Sequence, residues 1–384
     1  MTKEYKKKAK QLGKNMNAKS KFAIPLVECI LECFEIVFTE QEIDYMLLME
    51  EGCYTKAELK KLWNLDDDNF EKEFSSIRDK GGIWQSKGEG VYDVTPIFPG
   101  WIELFASGPV TEQRKALLSK FGEFEDVLKS LNIAPVRTYM NHVNTKNMQT
   151  EEGRMSTIVA RGTKKRVIGL NKKVDAAQTV FTGNEIFEII KRHKDELAVM
   201  NCFCRVKKML EGHDCDYDMP MEACLSVGRM AVQLENAGVA RHVTYDEAVK
   251  LIGKLEDKGC IHTLYHYGTY SPNEEIIICN CCIDCCFLYS SYREGALSQL
   301  LMKAYYKPEI INEDKCVGCN KCSKYCPTDA TWFEKKENKL KYIYDKCIGC
   351  GQCVTQCPFE VRYMEKDERN VFVKTEKRNW GGAR

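Results

Sequence analysis

A repeated cysteine motif lies near the C-terminus of this chain: DKCVGCNKCSKYCP is followed by DKCIGCGQCVTQCP. Both copies read C-x-x-C-x-x-C-x-x-x-C-P, and their first cysteines are Cys316 and Cys347. A tight loop with this spacing points three thiolates at three irons of one iron–sulfur cube, whereas the fourth cysteine lies beyond reach and serves another cube. Zinc sites usually pair two separated C-x-x-C units, so the closely spaced triplets favour iron–sulfur ligation.

The repeat resembles that of the two-cluster bacterial ferredoxins, and the resemblance covers residues 312–375. Pro327, Pro358 and the predicted hairpin TWFEKKENKLKYIY fit the same pattern. The resemblance implies two 4Fe–4S clusters that exchange their fourth ligands and lie close enough for electrons to hop between them. The implied ligands are Cys316, Cys319, Cys322 and Cys357 for the first cluster, and Cys347, Cys350, Cys353 and Cys326 for the second.

The chain has 21 cysteines in all, and their redox state depends on the compartment. Its Lys-rich start is not followed by a secretory signal, and the most apolar stretch, FAIPLVECILECFEIVF, is interrupted by Glu28, Glu32 and Glu35. We therefore expect a cytoplasmic protein with no transmembrane segment. Cytoplasmic thiols stay reduced, so dense cysteines at regular spacing indicate metal ligation rather than disulfides.

The middle of the chain contains a second set of cysteines. Their pattern, C-x-C-R … C … C-L … C-N-C-C-x-x-C-C, resembles that of poorly characterised multidomain iron–sulfur proteins of anaerobes, over residues 180–384. Unligated thiols at this density are an oxidation liability, so we predict one or two further 4Fe–4S clusters here. The candidate ligands are Cys202, Cys204, Cys215, Cys224, Cys279, Cys281, Cys282, Cys285 and Cys286.

Two groupings of these middle cysteines are open. In the first, the four cysteines between 202 and 224 hold one cluster, and four of the ICNCCIDCC cysteines hold another. In the second, one cluster takes ligands from both segments and the remaining thiols are free. Arg205 either offsets the negative charge of a reduced cluster or pairs with an acidic side chain, and Cys260 is expected to be a small buried residue.

The sequence predicts an α+β, multidomain chain. Within 37–110 three helix signals precede a hairpin signal at 82–96, which is typical of a winged-helix domain. Thr55 and Asp68 are predicted to start the second and third of these helices, and PMEACLSVGRMAVQLENAG predicts a helix further on. The predicted divisions are a basic N-terminal arm and helix at 1–36, a winged-helix-like domain at 37–110, a mixed connector at 111–200, a cysteine-rich iron–sulfur domain at 201–300 and a two-cluster ferredoxin-like domain at 301–384.

Charge argues against nucleic-acid binding. The net charge is only +1, and the third predicted helix, which enters the DNA major groove in many winged-helix proteins, is acidic. The Lys-rich N-terminus predicts a solvated, frayed arm, or alternatively a docking arm for an acidic partner. The acidic residues on and before the third helix are Asp66, Asp67, Asp68, Glu71, Glu73 and Asp79.

The function predicted from these features is electron transfer. The chain contains no G-x-G-x-x-G and no G-x-x-x-x-G-K-[ST], so it lacks the common nucleotide motifs and must exchange electrons with a redox partner protein. We expect an electron-transfer subunit that connects a donor with a partner oxidoreductase in an anaerobic redox system, rather than an independent enzyme, and assign no catalytic residue. The alternatives are a redox-sensing iron–sulfur transcription regulator and a reductase with a substrate-binding cluster.

Overall fold

The computed structural model describes residues 1–20, 23–50, 52–85, 90–130, 156–161, 183–266, 276–293 and 302–371. Helices and antiparallel sheets both occur within these ranges, which confirms the predicted α+β class. Part of the turn in the hairpin predicted at 82–96 lies outside the described residues. In the part of the chain that is described, no helix is both long and apolar enough to cross a membrane.

The N-terminal third is mainly helical. Its helices are α1 (Lys3–Lys19), α2 (Glu28–Val37), α3 (Glu40–Leu48), α4 (Lys56–Trp63), α5 (Asp67–Asp79), α6 (Ile102–Ala106) and α7 (Glu112–Ser130). Its strands β1 (Tyr54–Thr55), β2 (Ile83–Gln85) and β3 (Val91–Val94) form an antiparallel sheet in the order β1-β3-β2. A π-helical turn over Ile97–Trp101 leads directly into α6.

Local sequence signals account for several helix starts. The Thr55 hydroxyl accepts from the Glu58 backbone N–H, and the Glu58 carboxylate accepts from the Thr55 N–H, which confirms the predicted cap of α4. Helix α5 begins two residues earlier than predicted, at Asp67. The reason is that Asp66, rather than Asp68, caps it, with 2.8 Å between the Asp66 Oδ1 and the Asn69 nitrogen.

The prediction of a frayed N-terminal arm is wrong. Residues 3–19 form α1, which buries Tyr5, Leu12 and Met16 against α2 and α3. These side chains recur at helical spacing, so one face of the lysine-rich helix is apolar. The Lys8 ammonium lies 2.9 Å from a Glu40 carboxylate oxygen, so lysines of this helix also contact acidic groups of the same chain.

The middle of the chain folds around a six-stranded sheet. Every neighbouring pair is antiparallel, and the strand order is β4-β8-β9-β6-β5-β7. The strands are β4 (Ser156–Ile158), β5 (Leu197–Asn201), β6 (Glu222–Val227), β7 (Arg241–His242), β8 (Ile261–His266) and β9 (Ile276–Cys281). The helices are α8 (Gly183–Arg192), α9 (Phe203–Leu210), α10 (Arg229–Asn236), α11 (Tyr245–Asp257) and α12 (Phe287–Arg293).

The two faces of this sheet differ. Val199, Leu225 and Ile278 pack with α8 and α11 in one apolar cluster, whereas the cysteines lie on the opposite face. The helix predicted over PMEACLSVGRMAVQLENAG is wrong in its first half, because residues 222–227 form β6. That strand is buried on both faces, so its continuous apolar run lacks the alternation that identifies a half-exposed strand.

The C-terminal part is built from two antiparallel strand pairs, β10 with β13 and β11 with β12. A short 3₁₀ turn precedes each cysteine motif and a four-residue helix follows within it, so the sequence repeat is also a structural repeat. The predicted hairpin TWFEKKENKLKYIY is confirmed by β11 and β12. The elements are β10 (Tyr306–Ile310), α13 (Lys321–Lys324), β11 (Thr331–Glu334), β12 (Lys339–Tyr342), α14 (Gln352–Thr355) and β13 (Arg362–Lys366).

Candidate metal centres

The cysteines of the C-terminal repeat line two neighbouring cavities of ≈ 20 Å³ each, and Cys353 borders both. The structure brings Cys357 of the second copy to the first copy, and Cys326 of the first copy to the second. This placement agrees with the ligand exchange that the ferredoxin resemblance implies, and the assignment of ligands stays a prediction. We call the cavity of Cys316, Cys319, Cys322 and Cys357 the first ferredoxin site, and that of Cys326, Cys347, Cys350 and Cys353 the second ferredoxin site.

Backbone amides and one buried cation surround these thiols. The Ala330 N–H donates to the Cys326 Sγ at 3.1 Å. The side chain of Arg362, only 4 % exposed as a residue, lines the first ferredoxin site. Burial raises the pKa of the Cys322 and Cys353 thiols, the latter to about 12, and the Arg362 charge acts in the opposite direction on both. A positive charge at this point favours thiolates and a negatively charged cluster.

Six middle cysteines form a closed ring of thiol–thiol contacts, here called the six-cysteine ring. It borders a cavity of ≈ 70 Å³. Hydrogen bonds from its neighbours Cys279 and Cys286 lower the pKa of Cys281 to about 7, which gives that thiol thiolate character near neutral pH. In order around the ring, the contacts run Cys202, Cys204, Cys286, Cys281, Cys279, Cys224 and back to Cys202.

Sheet register explains how distant cysteines meet in this ring. Leu225 pairs with Ile278 between β6 and β9, so the next pair along the ladder is Cys224 with Cys279. Cys279 and Cys281 are two residues apart on one strand and therefore point to the same face. The structure thus takes ligand candidates from both segments, as in the second predicted grouping.

Cys215 lies in a different group. Its Sγ is 3.7 Å from the Cys282 Sγ and 3.7 Å from the Asp284 Oδ1. Ligand atoms of these three residues and of Cys285 all lie within 4.8 Å of one another, and we call the four residues the Cys215 site. The first predicted grouping is therefore wrong in placing Cys215 with Cys202, because the loop after α9 carries it toward the Cys282–Cys285 turn.

Arg205 lies between the six-cysteine ring and the Cys215 site, and is 3 % exposed. Its guanidinium donates to the carbonyl oxygens of Pro220, at 2.8 Å, and Asn280. Burial lowers the pKa of Arg205, but the adjacent Cys202 and Cys282 outweigh burial and raise it. The ionisable groups that act on Arg205 are thus cysteines. This supports a role for Arg205 in offsetting the charge of a cluster rather than in pairing with a carboxylate.

The second ferredoxin site packs directly against the middle region. The Arg161 N–H donates to the Cys350 carbonyl at 3.2 Å, and the Gln352 side chain donates to the carbonyl of Cys260. Gly351 has φ +81°, and an added Cβ would lie 2.0 Å from the Arg161 carbonyl oxygen, so only glycine allows this approach. Cys260 is fully buried, as predicted.

Tyr289 joins the two regions. It is completely buried, and its hydroxyl lies 3.0 Å from the Thr263 hydroxyl. Burial raises the pKa of Tyr289, followed by the charges of Cys281 and Cys286 of the ring and, more weakly, of Cys350. These residues belong to one buried cluster. Sequence reasoning missed Tyr289 entirely, and it missed Asp284, although the latter stands inside a C-x-x-C turn.

Comparison with known proteins supports only the C-terminal part of these assignments. Residues 308–358 match the family model described as a 4Fe-4S dicluster domain. This match is consistent with a ferredoxin-type domain at the C-terminal end and supports 4Fe–4S cluster binding there. No curated protein and no solved structure matches the chain.

Proposed function

We propose that this protein carries electrons along a chain of iron–sulfur clusters, from the first ferredoxin site through the second to a further cluster at the six-cysteine ring. The packing of the second ferredoxin site against the ring, with Tyr289 between them, carries this proposal. Cys350 is only 8 % exposed, so this site faces protein rather than solvent. Buried neighbouring clusters serve transfer within a molecule better than exchange with a soluble partner.

The first ferredoxin site is the proposed point of contact with a redox partner protein. Cys319 is exposed, unlike Cys350 of the second site. Val317 is 63 % exposed and Phe359 38 % exposed, and both line the same cavity. Exposed apolar side chains beside a cluster suit a transient protein interface. The direction of electron flow between donor and partner oxidoreductase follows from the potentials of the three clusters.

The proposed third cluster rests on the chemistry of the six-cysteine ring. The cavity is lined by the six thiols of the ring and also by Cys282 and Cys285, more than the four that one 4Fe–4S cluster needs. Buried thiolates in contact repel one another, and ligation to iron removes that repulsion. Arg205 supplies a buried positive charge beside the ring, which offsets the net negative charge of a thiolate-bound cluster.

Stopped-flow reduction of the full, anaerobically prepared chain by reduced methyl viologen tests this route. In a Cys319→Ser variant, reduction of the remaining clusters should slow several-fold, because the exposed entry site is lost. Cys53→Ser is the matched control, since Cys53 lies in none of the three sites. An unchanged rate in Cys319→Ser would mean that electrons enter elsewhere.

The N-terminal elements support a winged-helix-like domain that contacts protein rather than DNA. From α3 to β3 the order is helix, strand, helix, helix, strand, strand. The Gln85 N–H of β2 donates to the side chain of Gln233 on α10 at 3.2 Å, so the hairpin packs on the middle region. With the acidic α5, this contact favours a scaffolding role over that of a transcription regulator.

A reductase with a substrate-binding cluster remains a second candidate because Glu103 lines the cavity of the six-cysteine ring. Burial raises the pKa of the Glu103 carboxyl to about 8, so it holds a proton near neutral pH. An open iron beside this acid would bind cyanide and change the electron paramagnetic resonance spectrum of the reduced protein. An unchanged spectrum would support a fully ligated cluster and electron transfer alone.

A further inference from the structure

Within the described residues, the Cys215 site is the one group in which three or more possible ligand atoms all lie within 4.8 Å of one another, whereas in the six-cysteine ring each thiol contacts only its two neighbours. Four Zn–S bonds of about 2.3 Å in a tetrahedron place sulfurs roughly 3.8 Å apart. The Cys215 and Cys282 sulfurs lie 3.7 Å apart, and the Cys215 Sγ lies 3.7 Å from the Asp284 Oδ1. In a cubane each thiolate binds a different iron, so the thiolates surround the whole cube and stand much further apart. The spacing at this site therefore fits one metal ion.

The donor set of the Cys215 site is also complete and held in place. Three thiols and one carboxylate make four ligands, which closes a tetrahedral site. The second carboxylate oxygen of Asp284 accepts from the Asp216 N–H at 2.8 Å and lies 3.3 Å from the His213 Nε2. The Cys285 N–H donates to the Cys282 Sγ at 3.3 Å. Such outer contacts orient ligands and raise the affinity for metal.

We propose that the Cys215 site binds a single zinc ion, separate from the iron–sulfur clusters. Thiolates select soft or borderline metals, and a site with four protein ligands is closed to substrate, so its role is structural. The ion ties the loop of Cys215 to the turn that also supplies Cys286 to the six-cysteine ring.

The same loop contacts the ferredoxin-type domain. The Tyr217 hydroxyl donates to the Lys324 carbonyl at 2.7 Å, and the Tyr217 and Tyr325 rings are 5.3 Å apart, edge to face. Tyr325 immediately precedes Cys326, a candidate ligand of the second ferredoxin site. Zinc at the Cys215 site therefore stabilises the packing of the middle region against the ferredoxin-type domain.

Zinc X-ray absorption on the full, anaerobically purified chain tests this directly and requires no variant. We expect about one zinc per chain, with three sulfurs at roughly 2.3 Å and one oxygen at roughly 2.0–2.2 Å. Absence of zinc, or zinc bound by four sulfurs, would overturn the proposal.

A pair of variants ties the metal to these residues. Asp284→Ala and Cys215→Ser should each lower zinc from about one per chain to near zero, with iron content unchanged. Asp214→Asn is the matched control, because Asp214 is exposed and adjacent to Cys215. A loss of about four irons in Cys215→Ser, with zinc retained, would show a cubane at this site instead.

Discussion

The two cysteine-rich regions of this protein are assembled in opposite ways. In the ferredoxin-type domain, three of the four cysteines at each site come from one tight loop, and only Cys326 and Cys357 are exchanged. In the middle region, the six-cysteine ring draws on β6, β9 and the starts of two helices. The first arrangement follows from the local spacing of the cysteines in each motif, whereas the second depends on the register of the strands. Metal binding in the C-terminal domain should therefore survive disturbance of the six-stranded sheet, whereas metal binding at the six-cysteine ring should be lost when that sheet is disturbed.

The exchange of ligands in the C-terminal domain predicts the largest effect. Cys357→Ser should remove the cluster of the first ferredoxin site, although Cys357 belongs to the second motif copy. Iron analysis should show a loss of about four irons per chain, and Cys53→Ser should show none. If only the cluster of Cys347, Cys350 and Cys353 is perturbed, the exchange is wrong.

The contact between the two regions predicts a separate loss. Gly351→Ala forces a Cβ toward the Arg161 carbonyl in a positive-φ conformation, so the free energy of unfolding should fall by more than about 1 kcal/mol. Electron transfer from the ferredoxin-type domain to the middle region should slow while iron content is kept. Gly253→Ala, in open space on α11, is the matched control and should be neutral or slightly stabilising. Equal effects of both substitutions would contradict the proposed contact.

The buried arginines allow a direct comparison of the regions. Arg205→Lys should retain the potential of the ring cluster, whereas Arg205→Met should lower it by tens of millivolts, because loss of a cation disfavours the reduced state. Arg362→Met should lower the potentials of the ferredoxin clusters in the same way. Potentiometric titration followed by electron paramagnetic resonance separates the signals. A shift in the potentials of the ferredoxin clusters in Arg205→Met would contradict the proposal that Arg205 acts on the ring cluster.

The smallest expected effect concerns the support of the middle sheet. The capping box of Thr244 and Glu247 starts α11, so Thr244→Ala should lower the free energy of unfolding by about 1 kcal/mol. Chemical denaturation of the anaerobic protein measures this change. Cluster content should be unaffected, because α11 packs on the face of the sheet opposite the cysteines. Loss of iron in this variant would mean that the two faces are coupled.

The sequence predicts those features that depend on neighbouring residues. The cap at Thr55, the hairpin of β11 and β12, and the dicluster repeat all follow from short patterns. The ring is not predictable in this way, because Cys224 meets Cys279 only through the β6–β9 register. Asp284 was missed because a carboxylate near cysteines has many possible partners before the fold brings Cys215 beside it.

Iron and acid-labile sulfide per chain, counted in the anaerobically purified full-length protein, test the central claim most directly. Two ferredoxin clusters and one cluster at the six-cysteine ring predict about twelve irons and twelve sulfides, since each 4Fe–4S cluster holds four of each. A value of about eight of each would contradict the account, because the middle region would then hold no cluster.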